Sequence, residues 1–233
     1  MTSVTKRNVF ALIGCIALVG IAAPSDAIAQ QAGKPQKEKQ HDKQHKHDHK
    51  DGEQHAHIGE PAPAFTLIDT EGKTHNLADY KGKVVVLEWF NPGCPVVVMH
   101  HEKHSTMKDL QKKFAEKDVV WLAVNSGAQG QQGHGKQTNA DARKEWNIGY
   151  PVLLDESGKV GRAYEAKTTP HMYVIDKGGV LVYTGAIDNG SGRKPGDINY
   201  VEQAVTQVLA GETVSTPETK PYGCAVKYAK NKN

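Results

Sequence analysis

"KVVVLEWFNPGCP", residues 83 to 95, decides how the rest of the chain is read. Val84 to Phe90 is an almost unbroken run of β-branched, apolar and aromatic residues, the composition of a strand covered on both faces. Asn91, Pro92 and Gly93 end that run, and Cys94 stands directly before Pro95. Proline at a first helical position has its φ preset and no N–H to lose, so Cys94 is placed at the N-cap of a helix. A sulfur there meets unpaired N–H groups and the positive end of the helix dipole, and both favour the thiolate. The alternative is a small buried residue that only caps a helix. Glu88 interrupts the apolar run, where a carboxylate is costly unless paired or protonated. Either it moves protons for the thiol, or it is ion-paired with a neighbouring lysine.

Outward from this stretch, strands and helices alternate. Residues 65–77, "FTLIDTEGKTHNL", are two short runs around "TEGK", a hairpin signal. The chain after Cys94 reads as one helix to about Lys117, followed by a second buried strand, "VVWLAVNS" (119–126). "NADARKEWNI" (139–148) reads as a helix and "YPVLLD" (150–155) as a strand. "PHMYVID" (170–176) pairs with "GVLVYTGAI" across "KGG", and residues 196–210 form a helix ended by Gly211. The predicted fold is an α/β sandwich with a mixed central sheet flanked by helices and an N-terminal hairpin extension. The last stretch, 213–233, is polar and irregular, yet carries Cys224.

The 233-residue chain has a formal net charge of +3, too mild for a nucleic-acid footprint. Residues 1–29 have the layout of a signal peptide: Lys6 and Arg7, an apolar run from Val9 to Ala23, then Ala27 and Ala29. That run is too short to favour a retained span, so export to a periplasm or the exterior is expected. "LIGC" at Cys15 is similar to a lipidation signal, but the apolar run continues past it, which makes anchoring the lesser reading. Cleavage leaves two cysteines, Cys94 and Cys224, in a compartment where disulfides persist. Residues 30–58 hold six histidines and no large apolar residue before Ile58, so they are expected to be disordered. The tract is either a solvated spacer or a loose, weak site for Zn, Cu or Ni.

"FTLIDTEGKTHNLADYKGKVVVLEWFNPGCP", followed by "KTTPHMYVIDKGGVLVYTGAI", resembles the redoxin branch of the thioredoxin-like superfamily, relatives of alkyl hydroperoxide reductase and thiol-specific antioxidant, over residues 59 to 212. The resemblance implies a thioredoxin-like fold and a thiol-based oxidoreductase without a cofactor. Its partner would be a thiol or disulfide protein or a small peroxide. It also implies that Thr169–Pro170 is a cis bond beside the reactive sulfur, and that Glu88 is the buried acid of thioredoxins. The departures are specific. Val97 stands where a thioredoxin has its second cysteine, and Leu87 and Asn91 replace the Pro and Thr/Ser of a peroxiredoxin. Asn91 retains a donor that would serve the sulfur, and Arg162 is the arginine suggested for a place beside it. "GCAVKY" resembles the tail of exported redoxins in which a distant cysteine accompanies the first. Cys224 is then a resolving thiol, one end of a static bridge, or free.

Two other classes fit parts of the sequence. His100 and His104, four apart, would share a helix face and with Cys94 suit a copper or zinc chaperone, although "HEKHS" departs from H-E-x-x-H. A redox-inactive binding module of the same fold is the other. "GQQGHGKQ" (130–137) follows the nucleotide loop pattern until Gln137 replaces its Ser/Thr, and reads as a surface loop with His134 and Lys136 solvated.

Overall fold

A computed structural model describes residues 55–230. The expected signal peptide, Cys15 and nearly all of the histidine tract lie outside these residues. Strand β3 (Val84–Trp89) is buried along its whole length and occupies the interior of a seven-stranded sheet. Its valines and aromatics suit a pleated surface packed from both sides, which explains why this run became the centre rather than an edge. It pairs in parallel with β4 (Val119–Asn125) and antiparallel with β7 (Met172–Ile175). The sheet is mixed, in the order β2-β1-β5-β4-β3-β7-β8, with β5 at Val152–Leu154 and β8 at Leu181–Gly185. The expected hairpin is β1 (Thr66–Asp69) and β2 (Thr74–Asn76), with Leu67 opposite His75.

Residues of β3 alternate between two cores, as the two-residue period of a strand requires. Val84, Val86 and Phe90 pack with Met107, Leu110 and Phe114, with Trp146, and with Val201 and Val205. Val85, Leu87 and Trp89 pack on the other face with Leu122, Tyr164 and Tyr173. Helix α5 (Tyr200–Leu209) starts where Asn199 accepts from the Glu202 N–H at 2.9 Å, and ends as Gly211 takes φ +74°.

Three sequence expectations are corrected. The helix after Cys94 is not continuous to Lys117. It is α1 (Pro95–Val98), a π-helical turn (Met99–Lys103), a left-handed Ser105, then α2 (Thr106–Lys113). Helix α3 runs Lys136–Glu145 with Gly135 at its N-cap, so it starts three residues before the expected 139 and ends three before the expected 148. α4 is Lys159–Ala163. The tail is not irregular throughout: β9 (Cys224–Ala225) pairs antiparallel with β6 (Thr168–Thr169), and Thr184 bridges Glu218. No helix among the described residues is long and apolar enough to cross a membrane.

Candidate active site

The site is built on the turn that ends β3. Asn91 shapes that turn: its Oδ1 accepts the Gly93 N–H at 2.8 Å and its carbonyl accepts the Cys94 N–H at 3.0 Å. Its Nδ2 donates to the Gln132 carbonyl at 3.3 Å, so the side chain is committed to the 127–135 loop and does not serve the sulfur. Gln132 lies against Gly93, where a Cβ would come within 2.5 Å of it. Cys94 is the N-cap of α1 with Pro95 at N1, as its neighbours in the sequence predicted.

Cys94 has no solvent exposure. Its Sγ donates to the Thr169 carbonyl at 3.0 Å, and Thr169–Pro170 is a cis peptide. The register of β6 and β9 sets Thr169 opposite Cys224, and because the Thr169 carbonyl meets the Cys94 sulfur, this brings Cys224 beside Cys94. Both cysteines are free. Burial alone would raise the Cys94 thiol. Hydrogen bonds from the Cys224 thiol, the Thr169 side chain and the backbone at Val97 and Cys224 outweigh burial and hold it below the ordinary value. The Val97 contribution is the helix-start effect expected from sequence; the larger one, from Cys224, is tertiary. Burial, then the hydrogen bond and charge of Cys94, push Cys224 the other way, up to about 11.

Cys224 rides on a tail tied down on both sides. Before it, the Thr219 hydroxyl accepts the Ala186 N–H at 2.9 Å, and Tyr222 donates to Asp188. After it, the Val226 N–H reaches the Lys167 carbonyl at 3.1 Å and the Lys227 carbonyl accepts from Ala128 at 2.8 Å. Gly223 makes the close approach: a Cβ there would sit 2.1 Å from the Thr169 carbonyl oxygen. Arg162 lies over the Tyr228 ring at 4.8 Å and donates to the Ala229 carbonyl, so it secures the tail's end rather than the sulfur.

The π-helical turn buries two consecutive histidines and sends them to different partners. His100 Nε2 lies 3.0 Å from the Tyr222 hydroxyl and its Nδ1 3.2 Å from that of Thr106. Burial disfavours its charged form despite the pull of Asp188. Because Tyr222 gives its proton to Asp188, a neutral His100 donates from Nε2 and accepts at Nδ1. His104 is exposed at the end of the turn, so the expected His100–His104 ligand pair does not form. No cluster of three or more His, Cys, Asp or Glu among the described residues is arranged to hold a metal.

His101 turns inward to Glu88, its Nε2 2.8 Å from Oε1, while the Tyr150 hydroxyl donates to Oε2 at 3.0 Å. All three are buried. Glu88 is therefore paired, but with histidine and tyrosine rather than the lysine of the sequence alternative. Burial and the Glu88 charge raise the Tyr150 hydroxyl well above its usual range. In the 127–135 loop, His134 is only partly exposed, since its Nδ1 meets the Gly127 carbonyl at 2.9 Å, and Gln137 bonds Asp141.

Sequence reasoning missed Tyr222, Asp188, His101 and Tyr150. A tyrosine two residues before a tail cysteine and a histidine pair inside an apolar helical run were the available signals.

Comparison with known proteins places this geometry. The profile of the family described as Redoxin matches residues 57–202, more than half of the chain. The thiol-disulfide oxidoreductase ResA of Bacillus subtilis (strain 168) is 30% identical over 138 residues, covering 58% of this chain and 72% of that protein. A hypothetical protein of Sinorhizobium meliloti 1021, SMc02350, superposes with a TM-score of 0.69 at 26% identity, covering 75% of this chain and 96% of that one. A putative thioredoxin from Neisseria meningitidis shares the fold, with a TM-score of 0.51 at 23% identity over 66% of this chain and 93% of that one. The expected thioredoxin-like architecture is thus the observed one.

Proposed function

The chain belongs to the Redoxin family, and from that premise we propose that it is an exported thiol-disulfide oxidoreductase whose working pair is Cys94 and Cys224. The observation that carries this reading is the β6–β9 register, which sets a thiol from the tail against a buried thiol at a helix start. Relatives named thiol-disulfide oxidoreductase support the class of reaction.

In the first step the Cys94 thiolate attacks one sulfur of a substrate disulfide, forming a mixed disulfide and releasing a thiolate. Cys224 then attacks the Cys94 sulfur, the second substrate thiolate departs, and the proton of Cys224 goes to a departing thiolate. The substrate is reduced by two electrons and the Cys94–Cys224 pair is oxidised. Hydrogen bonds from the Cys224 thiol and the Thr169 side chain stabilise the Cys94 thiolate, and the Thr169 carbonyl accepts from the thiol form. Gly223 lets the tail pass close to the Thr169–Pro170 bond, where a Cβ would come within 3.3 Å of the Pro170 ring. Glu88, with His101 and Tyr150, is the buried group placed to take up or return protons beneath the helix that Cys94 begins.

A small peroxide is the second electron acceptor, favoured by the complete burial of Cys94, which a two-oxygen molecule reaches more readily than a protein does. Its oxygen would leave as water after Cys224 condenses with a Cys94 sulfenic acid.

The test is stoichiometric oxidation of the reduced full chain carrying Cys15→Ser, followed by non-reducing mass analysis. The expected product has lost two hydrogens and yields one peptide linking Cys94 to Cys224. Two thiols that remain alkylatable after oxidation would sink the pairing.

A further inference from the structure

The two sulfurs are not equivalent from outside. This inference rests on the reading of Cys94 and Cys224 as an exchanging pair, and concerns how the oxidised pair is returned to dithiol. Thiol-disulfide exchange depends on which sulfur the incoming thiolate can reach. Cys94 has no exposed surface: the Thr169 carbonyl stands 3.0 Å from its sulfur, Gly93 beside it is covered by Gln132, and the tail closes the remaining side. Cys224, on the outer segment, is partly exposed. The tail is anchored at Tyr222 before Cys224 and at Val226 and Lys227 after it, so a reductant meets Cys224 without any segment having to lift. The Lys227 ammonium lies close enough to act on Cys224, and a positive charge there favours the approach of an anionic thiolate.

We infer that the physiological reductant is a dithiol whose first thiolate attacks Cys224, not Cys94. The attack forms a bond between the reductant's sulfur and the Cys224 sulfur and breaks the Cys94–Cys224 bond, and the electron pair leaves on Cys94. The reductant's second thiolate then attacks its own sulfur in the mixed disulfide and releases Cys224. The reductant ends as a disulfide, and its two protons end on Cys94 and Cys224. The partly exposed cysteine is thus the port for electrons, and Cys94 meets its substrate only in the reduced chain, where the tail, no longer tied by the disulfide, opens locally.

The experiment uses the full chain carrying Cys15→Ser, oxidised until the Cys94–Cys224 peptide is the dominant product. Glutathione, a monothiol that cannot complete the second step, is added, and the mixture is quenched at short times with excess N-ethylmaleimide before peptide mass analysis. The expected early product carries glutathione on Cys224 and maleimide on Cys94, in about tenfold excess over the reverse arrangement. Equal amounts, or a majority with glutathione on Cys94, overturn the inference while leaving the paired-cysteine reading intact. If oxidation never joins the two sulfurs, both fall together.

Discussion

The segment that presents Cys94 and the segment that presents Cys224 are held by different forces. Cys94 is fixed by burial: β3 lies in the interior of the sheet, its residues alternate into two apolar cores, and the turn after it is closed by Asn91. The Cys224 segment packs on the cores only through partly buried side chains, Tyr222, Cys224 and Val226, and is otherwise held by single hydrogen bonds to β6, Ala128, His100 and Asp188. Burial of large side chains contributes about 1.5–3 kcal/mol each, whereas a typical hydrogen bond nets about 0.5–1.5 kcal/mol. The nucleophile's position is therefore part of global stability, while the tail's position is a local matter that opens at lower cost. A pair built from one rigid and one locally anchored thiol can close and reopen without disturbing the sheet.

The largest effect that bears on this contrast is chemical. Cys94→Ser is expected to lower turnover of a disulfide substrate by about 10³-fold or more, with the fold intact by circular dichroism. A variant retaining a tenth of the activity would move the chemistry elsewhere. Next is the core side of the comparison. Glu88→Ala leaves His101 and Tyr150 buried without their shared partner, and is expected to cost about 3 kcal/mol in a urea unfolding series. A loss below one kcal/mol would mean that the cluster does not support the helix start.

The tail side is probed by Tyr222→Phe, which removes the hydroxyl between His100 and Asp188. Global stability should fall by only about 1 kcal/mol. Alkylation of Cys94 by iodoacetamide, however, should accelerate about tenfold as local opening becomes easier. Equal effects on unfolding and alkylation would erase the distinction between the two segments. The smallest expected change is in pH dependence. Cys224 stabilises the Cys94 thiolate by donating to it, so Cys224→Ala should move the midpoint of the Cys94 alkylation profile to higher pH. A midpoint that stays or falls would show that the helix start alone sets the thiol.

Much of the scaffold was legible along the chain. Periodicity marked β3, β4 and the hairpins, since a strand covered on both faces must be apolar at consecutive positions. Pro95 marked the helix start because its ring suits only a first turn. The break at Ser105 was not legible, and neither was the π-helical turn that buries His100 beside His101. The histidines of that turn meet partners from far away: Tyr222 is 122 residues from His100, and the Glu88 that His101 meets also binds Tyr150, 62 residues from it. The GlyCys dipeptide of the tail signalled a second thiol, but nothing local says which strand it would join.

By itself, then, the sequence determined a buried central strand, a cysteine at the helix start that follows it, a Thr-Pro before a later strand and a second cysteine in a tail. Those features come from propensity, sterics and hydrophobic period, which act over a few residues. Only the tertiary structure decided that Cys224 sits against Cys94, that Glu88 pairs with His101 and Tyr150, and that the tail seals the site. Each of these is a meeting of segments brought together by sheet register and core packing, and polar side chains carry no local record of the partner they will find.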